Sequence, residues 1–81
     1  MLRSVEREAI EGRIAEYEVE WANTDPDIQD AALDAIGADD IDDAIGAYLD
    51  ADNDYDLECI MYNWKDLMDV VAHKEHEMGL R

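Results

Sequence analysis

In the stretch DADNDYDLECIM, residues 50–61, an aspartate stands at every second position through Asp56. Oxygen ligands at alternate positions between two helices are what a calcium loop requires. With Asp50 at loop position 1, Asp52 and Asp54 fill positions 3 and 5, the apolar Leu57 falls at position 8 and Glu58 at position 9. Position 6, which needs glycine for the sharp turn, is Tyr55, and position 12, which should supply a bidentate glutamate, is Met61. Starting the loop at Asp52 puts Leu57 at the turn and Asn63 at the end, a poorer fit. The stretch therefore reads as a solvated acidic turn that also caps the helix after it, and no metal is expected there.

The other chemistry is thinner. Asp69, His73, His76 and Glu77 fall on neighbouring turns of one helix at a spacing that metal ligands use, but such mixtures are common on exposed helices. Cys59 has no histidine within two helical turns to activate it, and it reads as a small boundary residue beside Ile60. Gly12, Gly37, Gly46 and Gly79 stand alone and form no phosphate loop. Carboxylates abound, yet a general acid needs a desolvated pocket, and nothing marks one. The expectation is a protein that is not an enzyme and needs no cofactor.

Four helices and no convincing strand must position these residues. The first spans about residues 4–22, with Ile10, Ile14, Tyr17 and Trp21 on one face. In NTDPD, Thr24 or Asp25 can cap a second helix, Pro26 suits its first position, and Gly37 is a natural terminator after Ile36. A third is expected over about 40–49, with Ile41, Ala44, Ile45, Tyr48 and Leu49 in the i, i+3, i+4, i+7, i+8 pattern. The fourth, about 56–78, repeats Leu57, Trp64, Val71 and Met78 every seven residues. Short connections make neighbouring helices antiparallel, so the expected fold is all-α: residues 1–81 as a single small bundle, two long helices as walls and the two short acidic ones packed across them. Tyr17, Trp21, Tyr48 and Trp64 are expected in the core. Tyr55 has no apolar neighbours in phase.

Charge is distributed unevenly. The net charge is −17, but between Arg13 and Lys65 lie 51 residues without one lysine or arginine, and they hold 16 acids. The flanks are close to neutral. With 48% apolar residues the chain is expected to fold despite this repulsion. It has no run long enough for a membrane span and no apolar leader at its start, so a cytoplasmic location is expected, that of the host cell if phage-encoded. One cysteine fits a reducing compartment.

The acidic middle suggests what the chain binds. As two full helices side by side, the short segments would present roughly one carboxylate per 2 Å, near the one charge per about 1.7 Å of duplex DNA. Asp27, Asp30 and Asp34 share one face of the second helix. Asp39, Asp42, Asp43 and Asp50 are expected on or beside one face of the third, with Asp52, Asp54, Tyr55 and Asp56 following in the turn. These eleven residues are the expected partner-binding surface.

This composition resembles that of small phage and mobile-element inhibitors that imitate nucleic acid: anti-restriction proteins, anti-CRISPR proteins and other DNA mimics. The resemblance covers the acidic middle, about two thirds of the chain, and is one of character rather than motif. It implies a decoy for the basic groove of a nuclease, a CRISPR complex or another DNA-binding protein, with no direct binding of nucleic acid. Two rivals stay open. A halophile's protein would also be rich in aspartate and poor in lysine, although its acidity should spread over the whole surface. An interaction module would use the apolar stripe of the fourth helix, or its tail at Met78 and Leu80, to dock on a partner or form a homodimer.

Overall fold

The structure, a computed structural model, describes residues 3–79. Its first helix, α1 (Ser4–Ala22), carries its apolar residues where the spacing placed them: Tyr17 is buried, and Ile14 and Trp21 pack against the core. The chain leaves α1 through two side chains. The Thr24 hydroxyl donates to the Glu20 carbonyl at 2.7 Å, satisfying an orphan acceptor of the last turn. Asp25 then accepts from the Asp27 amide at 2.8 Å and caps α2 (Pro26–Ile36), with Pro26 at its first position. Gly37 closes α2 at φ 75°, with the Ala38 amide donating to Leu33 at 3.0 Å and the Gly37 amide to Asp34 at 3.1 Å. That double closure needs a residue tolerant of positive φ.

The third helix departs from expectation. Asp40, expected as its first residue, is its cap, and α3 (Ile41–Ile45) is a single short helix that stops at Gly46, also at φ 75°. The Ala47 amide donates to Asp42 at 2.9 Å, the same closure that ends α2. A second contact locks the stop: Asn63 Nδ2, from the next helix, donates to the Ile45 carbonyl at 3.0 Å. A Cβ on Gly46 would stand 2.9 Å from that nitrogen. Residues 47–49 therefore lie outside the helical phase. Leu49 still reaches the core, whereas Tyr48, expected there, is 81% exposed.

The fourth helix, α4 (Asp54–Glu77), begins two residues earlier than the periodicity indicated. Asn53 is its cap, accepting from the Asp56 amide at 3.1 Å. Asp54, Tyr55 and Asp56 thus belong to a first helical turn, where carboxylates favour the dipole. Leu57, Ile60, Trp64, Leu67 and Val71 are buried along one side of α4. Each of the other helices packs on it, α1 most extensively, and the short α2 and α3 lie against α4 rather than across two walls. Ile28 and Ala32 of α2 are completely buried there, and full burial of an isoleucine contributes about 1.5–3 kcal/mol.

The result is an all-α assembly of four helices around α4, with no strand among the described residues. It is elongated: the extents are 41 × 23 × 16 Å and the radius of gyration is 13.3 Å, against about 12 Å for a compact chain of this length. Among the described residues no helix is long and apolar enough to cross a membrane.

Candidate functional site: the acidic surface

On α2 the buried Ile28 and Ala32 orient the helix, so that Asp27, Asp30 and Asp34 all face solvent. None of the three carboxylates makes a hydrogen bond or ion pair among the described residues. Their placement is electrostatically unfavourable. Asp30 and Asp34 are a like-charged i, i+4 pair, and Asp34 lies in the last turn, where the dipole disfavours an anion and no base accompanies it.

Around α3 the acids crowd together. Asp39, Asp40, Asp42 and Asp43 occupy four of five consecutive positions, and two of them build the helix start: Asp40 accepts from the Asp43 amide at 2.8 Å, and Asp43 accepts from the Asp39 amide at 3.2 Å. Asp39 and Asp42 are exposed and bear no such task. With α3 so short, the two acidic segments are not paired rods, and the sequence-level density of one carboxylate per 2 Å is replaced by another arrangement. Asp27 to Asp34 rises about 10 Å along α2 and carries three charges, followed by a knot of four at the start of α3. Asp50 is not on α3 at all; it lies in the turn that follows.

That turn is held from outside the acidic segment. Arg7 of α1 donates through Nη1 to Asp54 Oδ1 at 2.6 Å and to the Asp52 carbonyl at 3.4 Å, and through Nη2 to the Ala51 carbonyl. Of the carboxylates expected at loop positions 1, 3 and 5, Asp54 is thus taken by a guanidinium. Asp50 accepts from the Asp52 amide at 2.9 Å, and Asp56 from the Asp50 amide at 3.3 Å. Of the expected surface residues, then, Asp43, Asp50, Asp54 and Asp56 shape the backbone or pair with Arg7. Asp27, Asp30, Asp34, Asp39, Asp42, Asp52 and Tyr55 are exposed without such a role. Among the described residues no group of three metal-ligating side chains converges. Glu77, one of the spaced candidates on α4, pairs with His73 at 2.9 Å and with Lys74 at 3.3 Å, and the Lys74 hydrogen bond pulls its carboxyl below the ordinary value.

The two bases that bound the acidic middle line one groove of about 470 Å³ between α1 and α4. Arg13 stacks 4.7 Å over the Tyr17 ring and pairs with Glu16 at 3.0 Å; Lys65 pairs with Asp69 at 3.1 Å. Tyr17 and Asp69 respectively, each by its side-chain hydrogen bond, raise these two pKa values.

The apolar stripe of α4 is covered by the other helices. Leu57, Trp64 and Val71 of the heptad series are buried within this chain, leaving Met78 half exposed, while Leu80 lies outside the described residues. The exposed large side chains also include Val5, Val19 and Ile36 and three tyrosines, Tyr48, Tyr55 and Tyr62. Sequence reasoning did not single out Tyr62, although its seven-residue spacing from Tyr55 was the available signal.

The chain matches no known protein family, no curated protein and no solved structure.

Proposed function

We propose that this protein is a nucleic-acid-mimicking inhibitor of the anti-CRISPR or anti-restriction type, presenting carboxylates to the basic groove of a nucleic-acid-binding protein and excluding its DNA or RNA. The observation that carries the reading is the set of carboxylates on α2. Asp30 and Asp34 repel one another, Asp34 opposes the helix dipole, and neither carboxylate caps, pairs with or hydrogen-bonds any described residue. Charges that work against their own helix require a use elsewhere. A basic groove supplies one, since a field of fixed carboxylates speeds encounter and competes for the lysines and arginines that otherwise hold phosphates.

The segregation of charge supports the same reading over a general acidic adaptation. The base-free segment from residue 14 to residue 64 is carried by α2, α3 and their flanks, whereas Arg3, Arg13, Lys65 and Lys74 pair locally with acids of α1 and α4. The test is recovery of partners from a host lysate at low and high salt, followed by competition with duplex DNA. Nucleic-acid-binding proteins should be retained at about 0.1 M salt and released by about 0.5 M as screening shortens. A partner without nucleic-acid function, held through high salt, would replace the decoy with an interaction module.

A further inference from the structure

Three of the six aromatic side chains lie more than half exposed, an unusual allotment for so small a core. Two of them, Tyr55 at 73% and Tyr62 at 57%, stand seven residues apart on α4. They share a face about 10 Å apart along the axis. Glu58 lies between them, at i+3 from Tyr55 and i−4 from Tyr62, and the exposed Asp66 follows Tyr62 by one turn.

The same chain contains a worked instance of what such a group holds. Arg13 lays its guanidinium 4.7 Å over the Tyr17 ring while donating to Glu16 at 3.0 Å and to the Tyr17 hydroxyl at 3.2 Å. A guanidinium suits this setting because its flat, weakly hydrated face stacks on a ring while its edge forks onto a carboxylate; an ammonium, a compact and strongly hydrated charge, meets a ring or a carboxylate but does not stack and fork at once. At Tyr55 and Tyr62 the ring and carboxylate are present, and among the described residues no cation stacks on either ring.

We propose that the α4 face of Tyr55, Glu58, Tyr62 and Asp66 takes arginine side chains from a basic protein surface, adding residue-type selectivity to the charge attraction of α2 and α3. The inference rests on the decoy reading and names the chemistry of its partner. Complementarity of charge selects the occupant: a surface with a net charge of −17 excludes acidic partners, and exposed tyrosines are rigid anchors at low entropic cost.

The probes are an oligoarginine and an oligolysine peptide of equal length, titrated calorimetrically into the full chain at fixed salt. The parent should prefer arginine by about tenfold, because a guanidinium keeps its carboxylate contact while stacked on each ring and an ammonium gives up one for the other. In the double variant Y55A/Y62A the preference should fall to about twofold or less, with lysine-peptide affinity falling less than arginine-peptide affinity; Y55F/Y62F keeps the rings and should keep the preference. Equal binding of both peptides by the parent, or a preference that survives Y55A/Y62A, overturns the arginine face and leaves the decoy reading standing if D30N/D34N weakens both peptides. Failure of the parent to bind either peptide overturns both.

Discussion

Arg7 Nη1 lies 2.6 Å from Asp54 Oδ1, joining positions 47 residues apart, and both side chains are only about a quarter exposed. Apart from this pair, the ion pairs among the described residues join side chains three or four positions apart on one helix. The contact fastens the first half of α1, which adds no residue to the buried cluster, to the turn that opens α4. R7A should destabilise the fold by about 1–3 kcal/mol, the range for charge-assisted hydrogen bonds that leave their partners unmatched. R7K should recover only part, since an ammonium cannot fork onto a carboxylate and two carbonyls together. Urea denaturation is the measurement; an R7A protein as stable as the parent would show the clamp to be incidental.

Added monovalent salt should raise the melting temperature. The chain has 23 acids against 6 bases, so self-repulsion outweighs the exposed pairs that salt also weakens, each worth at most about 1 kcal/mol. A thermal scan across ionic strengths checks this, and a flat or falling dependence would mean local pairing dominates. Calcium at millimolar concentration should stabilise no more than magnesium at equal ionic strength, because Arg7 already holds the Ala51 and Asp52 carbonyls and Asp54.

D30N/D34N should increase stability by about 0.5–1 kcal/mol, by relieving an i, i+4 repulsion and an anion at the wrong end of the dipole. Partner association should slow at the same time. A broader set, Asp27, Asp30, Asp34 and Asp42 to Asn, leaves the caps untouched and should deepen the loss of binding. D43K differs, because Asp43 accepts from the Asp39 amide at the start of α3; losing that contact should cost about 0.5–2 kcal/mol. Unchanged affinity in a folded four-site variant would remove the acidic face as the binding surface.

Trp64 is 3% exposed, and its indole Nε1 meets no hydrogen-bond acceptor among the described residues. An unmatched buried donor costs about 1–3 kcal/mol. W64F removes that donor while keeping most of the ring, so its net destabilisation should stay within about 1 kcal/mol. W64A, which opens a cavity among Ile60, Leu67 and Val71, should lose about 3–5 kcal/mol. A W64F loss of about 2 kcal/mol or more would mean that relief of the donor offsets nothing and that lost packing alone sets the effect.

Glu77 should titrate below the ordinary glutamate value, since the Lys74 hydrogen bond favours its ionised form, with His73 adding to the effect. Because the folded value is depressed, this small contribution to stability is present above the ordinary glutamate range and is lost as pH falls through the lowered value. Carboxyl NMR titration measures the midpoint, and K74A should return it upward.

The sequence by itself determined what is written in local spacing. The stripe of α4, the Asp25 cap and Pro26 start of α2, its stop at Gly37 and the outward phase of Asp27, Asp30 and Asp34 all follow from helical period and backbone chemistry within a few residues. The tertiary structure decided where two segments meet. Ile41 to Leu49 keeps a helical period through Gly46, and a lone glycine inside such a pattern can either continue or end it; the stop is realised with Asn63, 18 residues away, donating to Ile45. From that stop follow the exposure of Tyr48 and the place of Asp50 in the turn beyond α3. Likewise Arg7 answers Asp54 only once α1 lies along α4, because a charge attraction has no sequence signature when its partners are 47 positions apart. Periodicity reports which face of an element is buried, whereas the end of an element and the partner of a charge depend on side chains that folding alone brings within hydrogen-bond reach.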